Sequence, residues 1–351
     1  MSGHEEIARK NIMRDSEEPD GISVRGPDFN LGVNYSKIIE SFETMGFQAT
    51  HLSRAIEITN RMINDKAFVF LGYTSNMVSS GLRDVISFLV QQKKVNVLVT
   101  TCGGVEEDII KCLGSFKIGD MANSRAVSMP SAKLSDVLSE GFNADGKILR
   151  EKGINRIGNI FVPNSRYVAF EKFVQPILEE LYQVAIKRGK PVTGNELIWK
   201  LGEKVKDENS IYYWAWKNQI PVYCPAILDG ALGDNIYFFK FKRPDFVIDS
   251  TEDVVWFNNT TIGLKKSGAV ILGAGVVKHA ILNANMLRNG LDYAVYVNTS
   301  QEFDGSDAGA TPNEAVSWGK ILPNAHSVKV FADATIVFPL IVAKTFAKTK
   351  V

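Results

Sequence analysis

The chain has 351 residues, 45% of them hydrophobic and 23% charged, a balance that permits one large α/β domain or two smaller ones with a sizeable core. Forty basic against thirty-nine acidic side chains leave a net charge of +1, so no global field draws the protein to nucleic acid or an anionic membrane, and a charged ligand must be recognised locally. The three cysteines, Cys102, Cys112 and Cys224, lack C-x-x-C spacing and are too few for a disulfide framework, which points to a reducing compartment, the cytoplasm.

From the N-terminus, residues 1–30 are polar, carry no apolar core of a secretory signal and show little periodicity, so they read as a mobile arm with a short helix around Glu5 to Met13. The remainder, 31–351, reads as a single α/β domain. Between Tyr35 and Ile63 the apolar residues recur at helical spacing, which predicts two helices broken near Gly46. A repeated unit follows: "AFVFLGYTS" and "VNVLVTTCGG" are apolar runs ending in small polar residues, and "SSGLRDVISFLVQQ" and "VEEDIIKCL" are helical in pattern. This βαβα succession predicts a parallel sheet buried on both faces. Further strands are expected in "IPVYCPA" (220–226), "FVIDS" (246–250), "GAVILGAG" (268–275), "YAVYVNTS" (293–300) and "VKVFADA" (328–334). Several end in Thr, Ser, Gly or Asp, at the edge where open α/β sheets bind ligands.

Two stretches break this rhythm. The region 118–155, rich in Ser, Ala and charge, reads as a surface insertion centred on 119–145, and 165–215 reads as a helical block between strands. The longest apolar stretches, such as "TIVFPLIVA" at 335–343, are far shorter than the ~20 residues of a membrane span, so the chain is expected to be neither secreted nor membrane-embedded.

Chemistry concentrates at the predicted strand ends. Gly273 and Gly275, between a strand and a helix, suit the approach of a pyrophosphate to a helix N-terminus, although Lys278 occupies the place of the fingerprint's third glycine. His279 follows, with Asn283 one turn on along the same face; the bland alternative is a locally bonded surface histidine. No second His or Cys is spaced for zinc, and the calcium-loop pattern is absent. Asp229, Asp234, Asp304, Asp307 and Glu314 stand in Gly-rich loops, where each alone suits turn chemistry and together they would suit a polyamine or a ribose. Glu106 and Glu107 read as acids near the start of a helix, and Cys102 as a buried small residue. Lys320 is a surface lysine unless burial or neighbouring cations lower its proton affinity, with Trp318 available as an apolar wall.

Taken together, "FLGYTSNMVSSGLRD", "VLVTTCGGVEEDIIKCL", "GINRIGNIFVPN", "ALGDNIYF", "ILGAGVVKHAILNANMLRNG", "YAVYVNTSQEFDGSDAGA" and "EAVSWGKI" resemble the deoxyhypusine synthase family from about residue 30 to the C-terminus. That resemblance implies a Rossmann-like parallel sheet flanked by helices. It implies an enzyme that uses NAD to oxidise spermidine, releases 1,3-diaminopropane, and holds the aminobutyl group as an imine on a lysine. The group then passes to a lysine of the translation initiation factor 5A precursor. Carried over by motif, Lys320 would form the imine and His279 would handle the proton of the reacting amine. Asp234, Asn283, Tyr296, Asp307, Glu314 and Trp318 would hold the polyamine. Ser75, Asn76, Thr101, Glu107, Asp229, Gly275, Thr299, Ser300, Asp304, Asp333 and Ala334 would line NAD. The family resemblance also implies a homotetramer of two tight dimers, with sites at the dimer interface and an N-terminal arm that can cover a neighbouring site. The chain departs from the pattern at Ala274, where a glycine is expected, and in its longer 119–145 segment. Two other readings stand beside this one: a homospermidine synthase with putrescine as acceptor, and a non-catalytic regulatory paralogue.

Overall fold

The computed structural model describes residues 3–14, 16–119, 125–127, 141–143 and 146–347. Its strands are β1 (Phe68–Tyr73), β2 (Val97–Thr100), β3 (Lys117–Ile118), β4 (Arg125–Val127), β5 (Gly141–Asn143), β6 (Ile154–Ile157), β7 (Ile160–Pro163), β8 (Val222–Tyr223), β9 (Ser267–Leu272), β10 (Leu291–Asn298) and β11 (Ile321–Phe331). Six of them form one sheet in the order β11-β10-β9-β1-β2-β8, every neighbouring pair parallel. From β1 the chain runs outward through β2 to β8, then returns to β9 and runs outward through β10 to β11, so a switch point lies between β1 and β9, the Rossmann strand order that places a dinucleotide across the switch.

The apolar runs make this sheet because their side chains alternate between two covered faces. Val69, Leu71, Tyr73, Leu98, Val270, Leu272, Val295 and Val297 pack towards the helices Phe47–Asn64, Leu82–Gln91, Cys102–Leu113 and Ala334–Lys344. Phe70, Val97, Val99, Ala269, Ile271, Ala294 and Tyr296 face the helices Ser250–Ile262 and Val276–Met286. Gly72 is what lets the last helix come close, since a Cβ there would lie 2.6 Å from Ile281 Cδ1.

The expected parallel sheet, the break at Gly46 (φ +89°) and the helical block (Asn164–Arg188, Gly194–Val205, Ile211–Asn218) are all present, and the N-terminal helix spans Gly3–Ile12 with no buried residue. The strand expected at 246–250 is not formed. Asp249 there accepts from the amides of Thr251 and Glu252 and starts the helix Ser250–Ile262, leaving only a single bridge between Ile248 and Val192. The last strand is longer than expected, beginning at Ile321. The helix after β2 starts at Cys102 rather than Val105, so Glu106 and Glu107 lie in its second turn, buried, and do not cap it. Within the expected insertion, β4 pairs with β5 and a helix spans Gly146–Glu151; most of 119–145 lies outside the described residues. The antiparallel set β3-β7-β6 beside it was not foreseen.

Candidate active site

The C-terminal rim of the sheet forms a cleft of about 190 Å³ lined by Met77, Gly273, Ala274, Val297, Asn298, Thr299, Ser300, Ala332, Asp333 and Ala334. Gly273 (φ +79°) needs to be glycine twice over, because a Cβ would also meet Thr74 Oγ1 at 2.6 Å. Gly275 (φ +64°) is the N-cap of the helix Val276–Met286, and the space where its Cβ would be is open. The first amides of that helix therefore face an unobstructed approach, as an anionic pyrophosphate requires. Ala274 adopts no left-handed backbone, so the missing glycine carries no conformational cost. Asp333 spends one carboxylate oxygen capping the helix Ala334–Lys344, accepting from Thr335 N at 2.7 Å.

On the other side of the switch, Ser75 N donates to Thr101 Oγ1 at 3.1 Å, joining the ends of β1 and β2. Two glycines draw the helix Cys102–Leu113 against this junction: a Cβ at Gly103 would lie 2.7 Å from Ser75 Cβ, and one at Gly104 2.2 Å from Thr100 Oγ1. The same helix buries two carboxylates. Glu107 accepts from Ser79 Oγ, and burial, reinforced by Glu106, pushes its pKa up to about 7. Burial raises Glu106 as well, although it accepts from Leu232 N at 2.8 Å and so holds the start of the helix Ala231–Lys240, which carries Asp234. Asp229, Asp234 and Asn76 are exposed. Cys102 is buried as expected, its thiol pushed up by burial.

Lys320 owes its place to the end of a short helix. Pro312–Ser317 finishes at Trp318, Gly319 (φ +69°) donates to Val316 O at 2.9 Å, and Lys320 N donates to Ala315 O at 3.0 Å. These paired bonds are a Schellman turn, which needs the left-handed glycine and reverses the chain. The reversal brings Lys320 Nζ over the Trp318 ring, 5.4 Å from its centre. Trp318 is 63% exposed, so the ring offers a free apolar wall beside the amine. Across β10, Tyr296 is fully buried; its hydroxyl and Asp307 Oδ2 are two of the few buried polar atoms without a hydrogen-bond partner among the described residues. Burial raises the Tyr296 pKa, with Asp307 adding to it. His279 and Asn283 are adjacent on the helix, His279 Nδ1 lying 3.4 Å from Asn283 Nδ2.

The expected residues thus form three groups. Thr299, Ser300, Asp304, Asp333, Ala334 and Gly275 sit at the β9–β11 end of the rim; His279, Asn283, Tyr296, Asp307, Glu314, Trp318 and Lys320 belong to the helices and loop covering β10. Ser75, Asn76, Thr101, Glu107, Asp229 and Asp234 belong to the β1–β2–β8 half. Asp234 is not brought to Lys320: its helix packs, through Leu232, Ile236 and Phe239, on the opposite face of the sheet. Sequence reasoning overlooked Met77, Ser79 and Asn298. It also passed over Lys278 as a misplaced glycine, although the spacing of Lys278 with Ile281, Leu282 and Asn285 puts it on the buried stripe.

Among the described residues no three His, Cys, Asp or Glu side chains gather as a metal-binding set, and no helix is long and apolar enough to cross a membrane. The deoxyhypusine synthase family model matches residues 37–345. A Dictyostelium discoideum protein assigned as a deoxyhypusine synthase is 45% identical over 98% of this chain and 92% of its own length. The tobacco (Nicotiana tabacum) deoxyhypusine synthase is 44% identical over 97% of this chain and 94% of its own. A crystal structure assigned to the Entamoeba histolytica enzyme superposes with a TM-score of 0.64 at 29% identity, over 93% of this chain and 98% of that one. The chain belongs to the deoxyhypusine synthase family and is an enzyme of that type, an aminobutyltransferase.

Proposed function

We propose that the chain transfers the 4-aminobutyl group of spermidine to a lysine of the translation initiation factor 5A precursor, with NAD as cofactor and Lys320 as the covalent carrier. The observation that carries this reading is the Schellman turn that lays the Lys320 amine along the exposed Trp318 ring, taken with the Asp307 oxygen that is buried without a partner. An apolar wall and an unpaired acid suit a polyamine, whose methylenes need burial and whose ammonium groups need carboxylates.

The residues at the sheet switch fit NAD: the open helix start at Gly275 and the close approach at Gly273 would take the pyrophosphate, and the acids Glu107, Asp229, Asp304 and Asp333 would take ribose hydroxyls, together with Ser75, Asn76, Thr101, Thr299, Ser300 and Ala334. When bound, NAD supplies the acceptor, and later the donor, of one hydride. His279 takes the proton as the secondary amine of spermidine becomes an imine. The Lys320 amine then displaces 1,3-diaminopropane by exchanging one imine for another, and the acceptor lysine displaces Lys320 in the same way. Asp234, Asn283, Tyr296, Asp307 and Glu314 orient the chain and do no bond chemistry.

Asp234 and Lys320 belong to opposite halves of the sheet, their helices packing on opposite faces of it. This supports a site completed by a second copy, within a homotetramer of two tight dimers. The exposed helix Gly3–Ile12 suits an arm, residues 1–30, that reaches a neighbouring site, with residues 31–351 as one catalytic domain. A cytoplasmic location agrees with three unpaired cysteines.

Lys320→Arg keeps the charge and removes the nucleophile, and should reduce transfer of labelled butylamine from spermidine by more than about a thousandfold. Undiminished transfer would sink the mechanism. Running the wild-type assay with putrescine in place of the protein acceptor separates a homospermidine synthase from the activity proposed.

A further inference from the structure

Two lysines outside the proposed chemistry are bound in the same unusual way. Lys278 is only 1% exposed, yet its Nζ is held by backbone: it donates to the carbonyls of Asp307 and Ala310, the latter at 2.8 Å, and lies 4.9 Å from the centre of the Tyr296 ring. Lys329 stands beside Tyr296 in the β10–β11 register, and its Nζ donates to Ser300 O and Gly309 O, both at 2.7 Å. Burial lowers the pKa of each amine, a cost sustained because both are charge-assisted donors to well-placed acceptors.

The four carbonyls all belong to one loop, 300–310, which is compact in its own right. A Cβ on Gly309 would lie 1.8 Å from Gln301 O, Asp304 Oδ1 accepts from Ser306 N at 2.7 Å, and Ser300 N donates to Asn298 Oδ1 at 3.1 Å. Neither lysine forms a direct ion pair with the loop's carboxylates, although Asp307 acts on Lys278, and Glu302 and Asp304 on Lys329, from a distance. Asp307 is held through its main-chain carbonyl, while its side chain keeps a buried oxygen with no partner. A direct ion pair with Lys278 would occupy that oxygen; bonding through the backbone leaves it available.

We infer that Lys278 and Lys329 are positioning residues that clamp the loop 300–310 by its carbonyls and so present the Asp307 carboxylate, one oxygen of it buried without a hydrogen-bond partner, to a substrate ammonium. Lys278 holds the substrate end of the loop, at Asp307 and Ala310. Lys329 ties the cofactor end, at Ser300, to the substrate end, at Gly309. The role given to Asp307 rests on the reading proposed above; the clamp itself does not.

The test uses the full-length chain with Lys278→Met and Lys329→Met, which keep a long apolar stem and remove the donor. Amide hydrogen exchange across 300–310 is measured without ligands, then the spermidine KM, kcat and the NAD dissociation constant. Both variants should exchange faster in the loop alone. Lys278→Met should raise the spermidine KM by about tenfold or more and leave the NAD constant within about twofold, whereas Lys329→Met should raise both. Unchanged exchange in the loop overturns the clamp, and so does a Lys278→Met variant in which both constants rise in equal proportion. If Lys278→Met fails to fold, the half-exposed Lys329 decides alone: wild-type exchange in Lys329→Met overturns the proposal. A wild-type protein that binds no spermidine defeats the reading of Asp307, while the exchange result still decides the clamp.

Discussion

The two halves of the sheet bury charge in different balance, acids together with Arg83 in one and a lysine in the other. On the β1–β2–β8 side the helix Cys102–Leu113 sinks Glu106, Glu107 and Asp108; on the β9–β10–β11 side the helix Val276–Met286 sinks Lys278, with Lys329 beside it. Desolvation penalises the charged form in both, raising the pKa of Glu106 and Glu107 and lowering that of the lysines. The partners differ in kind. Glu106 accepts from a helix start, Glu107 from a serine hydroxyl and Asp108 from an arginine, whereas the lysines donate to loop carbonyls. The acids brace regular elements, Lys278 and Lys329 brace a loop, and Lys111 in the acid half holds the end of the helix Ser75–Ser79 through Val78 O and Ser80 O, because free amides stand at helix starts and free carbonyls at helix ends and in irregular backbone.

The largest effect should come from the acid half. Asp108 accepts from Arg83 Nε at 2.7 Å, Ser210 Oγ at 2.5 Å and Ile211 N at 3.1 Å. Asp108→Asn leaves Arg83 buried without its counter-charge, and denaturant unfolding should show a loss of about 3–5 kcal/mol. A loss near zero would mean the acids of this half are passive.

Glu107 sharpens the contrast through pH. Burial pushes its pKa up to about 7, above the ordinary glutamate value of 4.5, so the stability advantage of its protonated form is complete below about pH 4.5 and disappears as pH rises through 7. Glu107→Gln should therefore be more stable than wild type above pH 7, the difference fading towards pH 4.5. In the same window NAD affinity of the wild type should rise with pH, since a ribose hydroxyl donates better to the carboxylate, and Glu107→Gln should lose that dependence. A pH-independent difference in stability would place the carboxylate in water.

The smallest effect lies in the lysine half. Gly319→Ala meets no atom within 4 Å and costs only the left-handed backbone, φ +69°, about 1 kcal/mol. Its effect on transfer should exceed its effect on the melting temperature, because the turn aims Lys320.

Continuous apolar runs ending in Thr, Ser or Gly made the parallel sheet readable, since few other patterns bury both faces. "FVIDS" misled because an aspartate after three apolar residues serves a helix start as well as a strand end. Lys320 was legible only through the surrounding motifs: nothing in "SWGK" alone distinguishes a surface lysine, and its pairing with Trp318 depends on a turn set by Gly319. Lys278 and Lys329 were missed for a related reason, as their partners are carbonyls, which no side-chain pattern records.

Lys320 is stitched at both ends of its own peptide unit, its N–H to Ala315 O and its carbonyl to Leu291 N, each at 3.0 Å. The second bond fastens it to the first residue of a central strand. A group carried on this lysine can swing only about the bonds of the side chain, like a jib on a fixed mast. Under the proposed role of Lys320, delivery to a protein acceptor would depend on the acceptor's lysine travelling down to the mast, which would favour a target presented on a narrow, protruding loop.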